Sequence, residues 1–239
     1  MRDYGKETEK RVAWIKDVLA DAGVRGVVFG SSGGKDSVLA GILCKMACDN
    51  TLGVIMPCGA NRNYAEDKTD ALLLAEEFDI EHIVIDLTAA KDALVAAVSP
   101  VVDKLDSVNI APRLRMTTLY AIANGRGALV AGTSNRSERH MGYFTKWGDG
   151  ASDFNPIADL TVTEIFEFLR YLGVPEVFYT KAPSGGLFDG QTDEAEMGVT
   201  YDEIDRYLLS GEIGANYDKI ERAHRISGHK RRDIRCYGE

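Results

Sequence analysis

Apolar residues in this chain alternate between short continuous runs and longer runs with helical spacing. The short runs, rich in Val, Ile and Leu, predict buried strands near residues 27–30, 51–56, 80–86 and 128–132. The helical spacing predicts helices over residues 8–22, 38–49, 65–78, 88–98 and 109–124. This alternation predicts a doubly wound, mostly parallel α/β sheet flanked by helices. Ligands of such sheets bind beyond the carboxyl ends of the strands.

The regular alternation stops after the fourth predicted strand. Residues 133–156 and 181–197 are rich in Gly, Asp and Ser and show little periodicity, so we expect irregular loops there, the second being a lid. Helical spacing returns in three segments, residues 161–172, 200–209 and 215–226. A chain of 239 residues with 45% hydrophobic residues is long enough to bury one sizeable core.

A turn rich in Gly and Ser joins the first predicted strand to the helix after it. Its candidate phosphate-binding residues are Gly30, Ser31, Ser32, Gly33, Gly34, Lys35, Asp36 and Ser37. Free backbone N–H groups at a helix N-terminus bind phosphate, and glycine lets the backbone approach a ligand closely. A carboxylate such as Asp36 faces a polyphosphate when a metal ion such as Mg²⁺ lies between them. The turn therefore predicts a polyphosphate site, an ordinary structural turn being the weaker alternative.

Composition narrows the choice of partners. The net charge of −9 argues against a protein that binds nucleic acid over its whole surface. The charged N-terminus does not resemble a signal peptide, and no apolar run approaches the length of a membrane span. The four cysteines form no C-x-x-C pair, which is typical of reduced thiols. We predict a cytoplasmic protein that binds neither nucleic acid nor a membrane.

Charged residues also cluster in the segments that follow the third and fourth predicted strands. Arg113 and Arg115 lie at a helix start, where cations oppose the helix dipole, and this position indicates an anionic partner. Thr133 and Glu138 follow the fourth strand and should reach the ligand edge of the sheet. A glycine-containing loop then carries one lysine and two carboxylates, namely Lys146, Asp149 and Asp153.

Several of these segments resemble known families. Ser32-Gly-Gly-Lys-Asp-Ser37 resembles the SGGxDS loop of the PP-loop ATP pyrophosphatases, which cleave ATP between its α and β phosphates. Residues 13–231 resemble the ammonia-dependent NAD synthetase family. The segments that carry this second resemblance are Gly132-Thr with Glu138, Thr145-Lys-Trp-Gly-Asp-Gly150, Glu196-Met-Gly-Val-Thr-Tyr-Asp-Glu-Ile-Asp205 and His229-Lys230. We therefore expect one domain, with a nucleotide-binding core in 1–132 and substrate loops, lid and C-terminal helices in 133–239.

The resemblance implies a reaction and a role for each site residue. The reaction is ATP-dependent amidation of deamido-NAD by ammonia through an adenylate, giving NAD⁺, AMP and pyrophosphate. The resemblance implies that the turn, Thr133 and Ser184 contact ATP. It implies that Asp36 and Glu138 bind Mg²⁺. The residues implied to contact deamido-NAD are Arg113, Lys146, Asp153, His229 and Lys230. The catalytic candidates are Asp36, Lys146, Asp149 and Asp153, and Asp149 or Asp153 is expected to take a proton from ammonium. The family typically forms homodimers, so we expect one here.

Two departures from the family and three alternatives accompany this interpretation. Val162 stands where many members carry a lysine, so Lys181 is a candidate for the missing ATP contact. The loop of residues 57–62 also lacks the arginine that many members place before its proline. The chain could instead be another adenylating enzyme of the superfamily, guanylate-forming or tRNA-modifying, or a non-catalytic nucleotide sensor. Free ammonia is the expected nitrogen source because the chain has no room for an amidase domain, and a separate glutaminase partner is the alternative.

Overall fold

Four parallel strands form the central sheet in the computed structural model, which describes residues 2–59, 66–102, 107–180, 192–234 and 236–238. The strands are β1 (Val27–Gly30), β2 (Thr51–Ile55), β3 (Glu81–Val84) and β4 (Leu129–Ala131). Their order is β3-β2-β1-β4, and each neighbouring pair is parallel. The winding therefore reverses between β1 and β4, and the ends of these two strands flank the crevice where such folds bind ligands. The predicted doubly wound sheet is confirmed.

Helices connect and surround these strands. In chain order they are α1 (Tyr4–Asp21), α2 (Lys35–Ala47), α3 (Glu66–Phe78), α4 (Thr88–Val98), α5 (Ile110–Arg126), α6 (Arg136–Met141), α7 (Val162–Tyr171), α8 (Val177–Thr180), α9 (Asp193–Met197), α10 (Tyr201–Ser210) and α11 (Tyr217–Ile226). Short 3₁₀ turns cover Ser99–Val101 and Gly228–Lys230. No helix of the described residues is both long and apolar enough to cross a bilayer.

Helices cover both faces of the sheet because its central strands are apolar on both faces. On one face, Phe29 packs in a core with Ile15 of α1 and Phe168 of α7, and all three are fully buried. On the other face, Val28 packs with Ala123 of α5. Each fully buried large side chain stabilises the fold by about 1.5–3 kcal/mol. The sheet is thus held between two layers of helices, and sheets of this kind bind ligands at their carboxyl edge.

The C-terminal helices form a separate small core beside the sheet. Met141 at the end of α6 packs there with Val162 of α7, Ile204 of α10 and Ile220 of α11, each at most 7% exposed. Helices α6, α7 and α10 each begin with a capping box, in which a side chain at the N-cap and a Glu three residues later satisfy each other's backbone N–H groups. This small core fixes α6 and α10 against the edge where β4 ends.

The expectation of irregular structure in residues 133–156 was wrong for α6. The capping pattern is present in the sequence, since Asn135 accepts from the N–H of Glu138 and the Glu138 carboxylate accepts from the N–H of Asn135. Six residues are too few for a periodicity to show. The predicted lid over 181–197 likewise contains a short helix, α9, and its residues 181–191 lie outside the described part of the chain.

Candidate active site

The turn after β1 is held in shape by its own serines. The Ser37 hydroxyl donates to the Gly34 carbonyl at 2.9 Å and accepts from the Ser32 backbone N–H at 3.3 Å. The Ser32 hydroxyl lies 3.1 Å from Ser37 Oγ and accepts from the Gly34 N–H at 3.3 Å. Gly33 has a φ of +74°, which a side chain would strain. The turn is therefore preformed, with the N-terminus of α2 directed at the crevice.

A histidine on the edge strand supports the turn from below. His82 Nδ1 lies 2.8 Å from the Ile80 carbonyl, which can only accept, so Nδ1 carries the proton and Nε2 accepts from the Ser31 hydroxyl at 2.9 Å. Burial lowers the pKa of His82, although the hydrogen bond to Ile80 opposes this shift. The ring crosses β2 at Gly53, where a Cβ would lie 2.3 Å from Nε2. No spacing in the sequence predicts this contact, because it joins residues 51 positions apart.

The first turn of α2 carries a buried ion pair. Lys35 is 6% exposed and its Nζ donates to Asp36 Oδ2 at 2.8 Å, while Asp36 Oδ1 accepts from Asn135 Nδ2 at 3.0 Å. Burial acts to lower the pKa of Lys35, but the charges of Asp36 and Glu138 outweigh it and raise that pKa. Asn135, at the start of α6, thus ties the carboxylate of the phosphate turn to the segment after β4.

A cavity of about 450 Å³ opens between the ends of β1 and β4. The predicted site residues that line it are Gly30, Ser31, Ser32, Gly34, Lys35, Asp36, Ser37, Thr133, Glu138, Asp149 and Lys230. They come from four regions of the sequence, and the sheet edge brings them together as the winding rule predicted. Arg115 lines the cavity as well, and its Nε donates to the Met56 carbonyl at 3.1 Å.

Negative charge is in excess inside this cavity. Glu138 lines it near Asp36, and burial together with the Asp36 charge raises the pKa of Glu138 well above its ordinary value, although Lys35 opposes the shift. Asp193 of α9 is a third carboxylate in the wall, and it is only 3% exposed. Three carboxylates therefore surround one lysine. Such an arrangement is relieved when a cation binds.

Asp193 and its partner were missed by sequence analysis. The Tyr201 hydroxyl donates to Asp193 Oδ2 at 2.9 Å, and the Tyr201 ring lies 5.4 Å from Lys35 Nζ in a cation–π contact. Both residues lie in segments that resemble the NAD synthetase family or adjoin one, but no spacing in the sequence relates them to Lys35. Only the tertiary structure, which brings Asp193 and Tyr201 close to Lys35, reveals the contact.

The C-terminal turn closes one side of the cavity. Lys230 Nζ donates to the carbonyls of Gly142 and Phe144 at 2.8 and 2.7 Å. In the other direction, Lys146 Nζ of the loop donates to the His229 carbonyl of the C-terminal turn at 2.7 Å. Burial lowers the pKa of Lys230, although the Asp149 charge opposes the shift. The turn that carries His229 and Lys230 is thus a clasp that holds the loop after α6.

Comparison with known proteins places this arrangement in a family. A family model described as NAD synthase matches residues 7–236. The chain is 48% identical over 236 residues to an NH(3)-dependent NAD(+) synthetase of Carboxydothermus hydrogenoformans, a match that covers 96% of each protein. The chain belongs to the NAD synthase family. A synthetase of the same name from Finegoldia magna is 43% identical, with 98% of this chain and 97% of that protein covered.

Solved structures agree with this membership. The fold matches an NMN synthetase from Francisella tularensis with a TM-score of 0.94 and 38% identity, over 100% of both chains. It matches an NH3-dependent NAD synthetase from Campylobacter jejuni with a TM-score of 0.81 and 29% identity, over 99% of both chains. Three predictions are thereby confirmed. They are membership of the NAD synthase family, the α/β fold and the activity of a ligase that forms a carbon–nitrogen bond.

Four residues predicted from the NAD synthetase resemblance lie away from the cavity wall in this structure. The four are Arg113, Lys146, Asp153 and His229. Asp153 uses both carboxylate oxygens, accepting from the Val130 N–H at 2.7 Å and from the Tyr120 hydroxyl at 3.2 Å. Arg113 is exposed and donates to the Lys146 carbonyl at 3.4 Å. Their roles toward the substrate stay predictions.

The departure from the family pattern at Val162 has a clear structural setting. Val162 is 2% exposed and packs in the small C-terminal core with Met141 and Ile204. A lysine at this position would need to extend out of that core, and valine has no charged group that could make the implied ATP contact. Ser184 and Lys181, the two predicted ATP contacts of the lid, lie outside the described residues.

The donor set of the cavity fits Mg²⁺. Among the described residues, no three His, Cys, Asp or Glu side chains enclose a metal position by themselves. Mg²⁺ does not require such an enclosure, since it usually binds one or two carboxylates together with phosphate oxygens and water. Asp36 and Glu138 line one cavity, and the pKa of Glu138 is raised by burial and by repulsion from the Asp36 charge. A divalent cation between them and a polyphosphate would remove that repulsion.

Proposed function

We propose that this protein amidates the nicotinate carboxylate of deamido-NAD with ammonia and uses ATP to activate that carboxylate, giving NAD⁺, AMP and pyrophosphate. The observation that carries the proposal is the shared cavity. A preformed phosphate turn, the Asp36–Glu138 carboxylate pair and the clasped loop after α6 line one space in a chain of the NAD synthase family. Membership of this family does not support the alternatives. These were a tRNA-modifying or guanylate-forming enzyme and a non-catalytic nucleotide sensor.

The turn would bind the β and γ phosphates of ATP. The N-terminus of α2 borders the cavity, where backbone N–H groups and the helix dipole favour phosphate, and the serine hydroxyls fix the backbone before ATP arrives. Such preorganised donors stabilise charge that develops on a leaving pyrophosphate. Asp36 and Glu138 would hold Mg²⁺, which neutralises polyphosphate charge when bound. Asn135 and Lys35 orient Asp36 for this role, because each contacts one of its oxygens.

The chemistry explains why activation is needed. A free carboxylate does not react with ammonia, because oxide is too poor a leaving group. When the nicotinate carboxylate attacks the α-phosphorus, a new C–O–P link forms and pyrophosphate leaves with the electron pair of the broken P–O bond. Ammonia then attacks the carbonyl carbon, and AMP leaves. Water must be kept from this adenylate, and the contacts of Lys230 with two carbonyls of the loop close that side of the cavity.

Nicotinate mononucleotide is a second candidate for the acid substrate. The Francisella tularensis structure that superposes at a TM-score of 0.94 is that of an NMN synthetase, whose product is an amidated mononucleotide. The curated relatives at 48% and 43% identity are named as NAD(+) synthetases, which favours the dinucleotide. Both acids carry the same reacting carboxylate, so the two candidates differ in the recognition of an adenylyl group and share the same site chemistry.

One assay tests both candidates. Purified protein is incubated with ATP, Mg²⁺ and ammonium, and with deamido-NAD or nicotinate mononucleotide in parallel; pyrophosphate and the amide product are measured. A higher kcat/KM with deamido-NAD supports the main proposal, and a higher value with the mononucleotide supports the second. If neither acid led to release of pyrophosphate, both candidate functions would be contradicted. A homodimer, cytoplasmic location and direct use of free ammonia are our further predictions, and sedimentation measurements test the first.

The Asp36→Asn substitution tests the phosphate turn. We expect kcat to fall by about 10²–10³-fold, the range seen when one electrostatic contact to a transition state is lost. Asn can keep the Asn135 contact, so the fold should survive, which circular dichroism would check. Asp21→Asn on the exposed end of α1 is the control with the same chemical change. Turnover of Asp36→Asn equal to that of the control would contradict the proposed role.

A further inference from the structure

Lys35 is a buried lysine whose charge lies within a group of carboxylates. Its side chain is 6% exposed, and its Nζ lies 2.8 Å from Asp36 Oδ2. The charges of Glu138 and Asp193 act on this ammonium as well, and all four residues line the cavity. A buried charge needs partners of opposite sign. Here those partners include Asp36 and Glu138, the two residues proposed above to hold Mg²⁺.

The charges within this group of four residues do not balance. Three carboxylates and one ammonium leave two negative charges in excess, and without Lys35 the excess would be three. The face of the Tyr201 ring, 5.4 Å from Nζ, further stabilises the ammonium where it lies. Lys35 therefore supplies part of the positive charge that a divalent cation would supply at Asp36.

This position of the Lys35 ammonium bears on how a metal ion binds. The sequence placed Lys35 among the phosphate-binding residues of the turn, whereas in the structure its Nζ donates to a carboxylate of that turn. A divalent cation at the Asp36 carboxylate would lie close to the ammonium, and the two positive charges would repel each other. The polyphosphate of ATP brings negative charge that offsets this repulsion.

We propose that Lys35 is a positioning residue that acts as a built-in counter-cation. It holds the Asp36 carboxylate in place and weakens the binding of Mg²⁺ until ATP supplies phosphate oxygens and negative charge. The inference rests on the Mg²⁺ role of Asp36 and Glu138 in the proposed function. Mg²⁺ commonly binds through one or two carboxylates together with phosphate oxygens, and Lys35 makes the metal depend on that second set of ligands.

The Lys35→Met substitution tests the effect on metal binding, because methionine has a similar length and no charge. Mn²⁺, which suits the same oxygen ligands, is titrated without nucleotide and with a non-hydrolysable ATP analogue, and free Mn²⁺ is measured by electron paramagnetic resonance. We expect Lys35→Met to bind Mn²⁺ without nucleotide about tenfold more tightly, or better, than the unmodified protein does. Lys45→Met is the matched control, since Lys45 lies on the same helix, pairs with Asp49 and Asp79, and is not part of the cavity wall.

Thermal unfolding tests the counter-cation role by a second route. Lys35→Met leaves buried carboxylates without their ammonium, so we expect Tm to fall by about 5–10 °C. Saturating Mg²⁺ should raise the Tm of this variant more than that of the unmodified protein, because the variant binds the ion more tightly. Lys35→Met combined with Asp193→Asn again has two negative charges in excess, so it should recover most of the lost stability. This double variant carries the Mn²⁺ titration if the single variant does not fold.

The results that would overturn the inference are distinct from those that would overturn the proposed function. Mn²⁺ binding to Lys35→Met that is equal to or weaker than binding to the unmodified protein would overturn the counter-cation role. An unchanged metal affinity with a raised KM for ATP would do the same and would make Lys35 a direct phosphate contact. The titration requires no turnover, so it decides the role of Lys35 even if neither acid is amidated, a result that would overturn the proposed function alone.

Discussion

His140 should make the stability of this protein depend on pH in a range where carboxylates are still ionised. Its ring stacks on His224 with centroids 4.1 Å apart and an angle of 15°, and it meets the edge of Tyr207 at 5.8 Å. Burial and the His224 charge lower the pKa of His140 to about 4, although Glu221 opposes the shift. His140 Nε2 is buried without a hydrogen-bond partner. Protonation of this ring is therefore costly in the folded state.

The sign and size of the effect follow from the two pKa values. The unfolded histidine has a pKa of about 6.5, so the unfolded chain takes up the proton first as the pH falls. Stability is unaffected above about pH 6.5, falls between there and about pH 4, and is constant below. Each pKa unit is worth about 1.4 kcal/mol, so the full loss is roughly 3 kcal/mol. At pH 5 the loss already amounts to about 2 kcal/mol.

The His140→Phe substitution tests this reasoning because phenylalanine keeps the stack and cannot take up a proton. The free energy of unfolding is measured in urea at pH 7 and at pH 5 for both proteins. We expect the unmodified protein to lose about 2 kcal/mol more than the variant between these pH values. His229→Phe, at an exposed histidine, is the control. If His140→Phe and the unmodified protein lost equal stability, the buried ring would not be the titrating group.

Three further substitutions test individual contacts. Gly53→Ala would place a Cβ 2.3 Å from His82 Nε2; we expect a loss of about 1–3 kcal/mol in urea unfolding and a higher KM for ATP, because the ring supports the phosphate turn. Asn135→Ala removes both the α6 cap and a donor to Asp36, so unfolding should cost about 1–2 kcal/mol less and turnover should fall; an unchanged kcat would contradict the contact's importance. Lys230→Met breaks two hydrogen bonds to loop carbonyls, so we expect faster proteolysis of that loop and a higher KM for the acid substrate, with ATP KM nearly unchanged.

The sequence by itself predicted the features that depend on local chemistry. Periodicity predicted the strands and helices of the core. The residue types of the Ser32-Gly-Gly-Lys-Asp-Ser37 turn predicted a phosphate site without knowledge of the fold. The winding rule then predicted which loops meet at the sheet edge, and the cavity between β1 and β4 agrees. Helix α6 was missed although its capping pattern is readable, because a helix of six residues has too few turns to show a period.

Only the tertiary structure decided which side chains act on one another across the site. Asp193 and Lys35 are 158 positions apart in sequence, and His82 reaches Ser31 across another strand through the gap above Gly53. Spacing along a chain carries no information on such contacts, since they depend on how helices pack after the strands are paired. For the same reason the sequence predicted Asp149 and Asp153 alike, and only the structure separates them, since Asp149 lines the cavity and Asp153 does not.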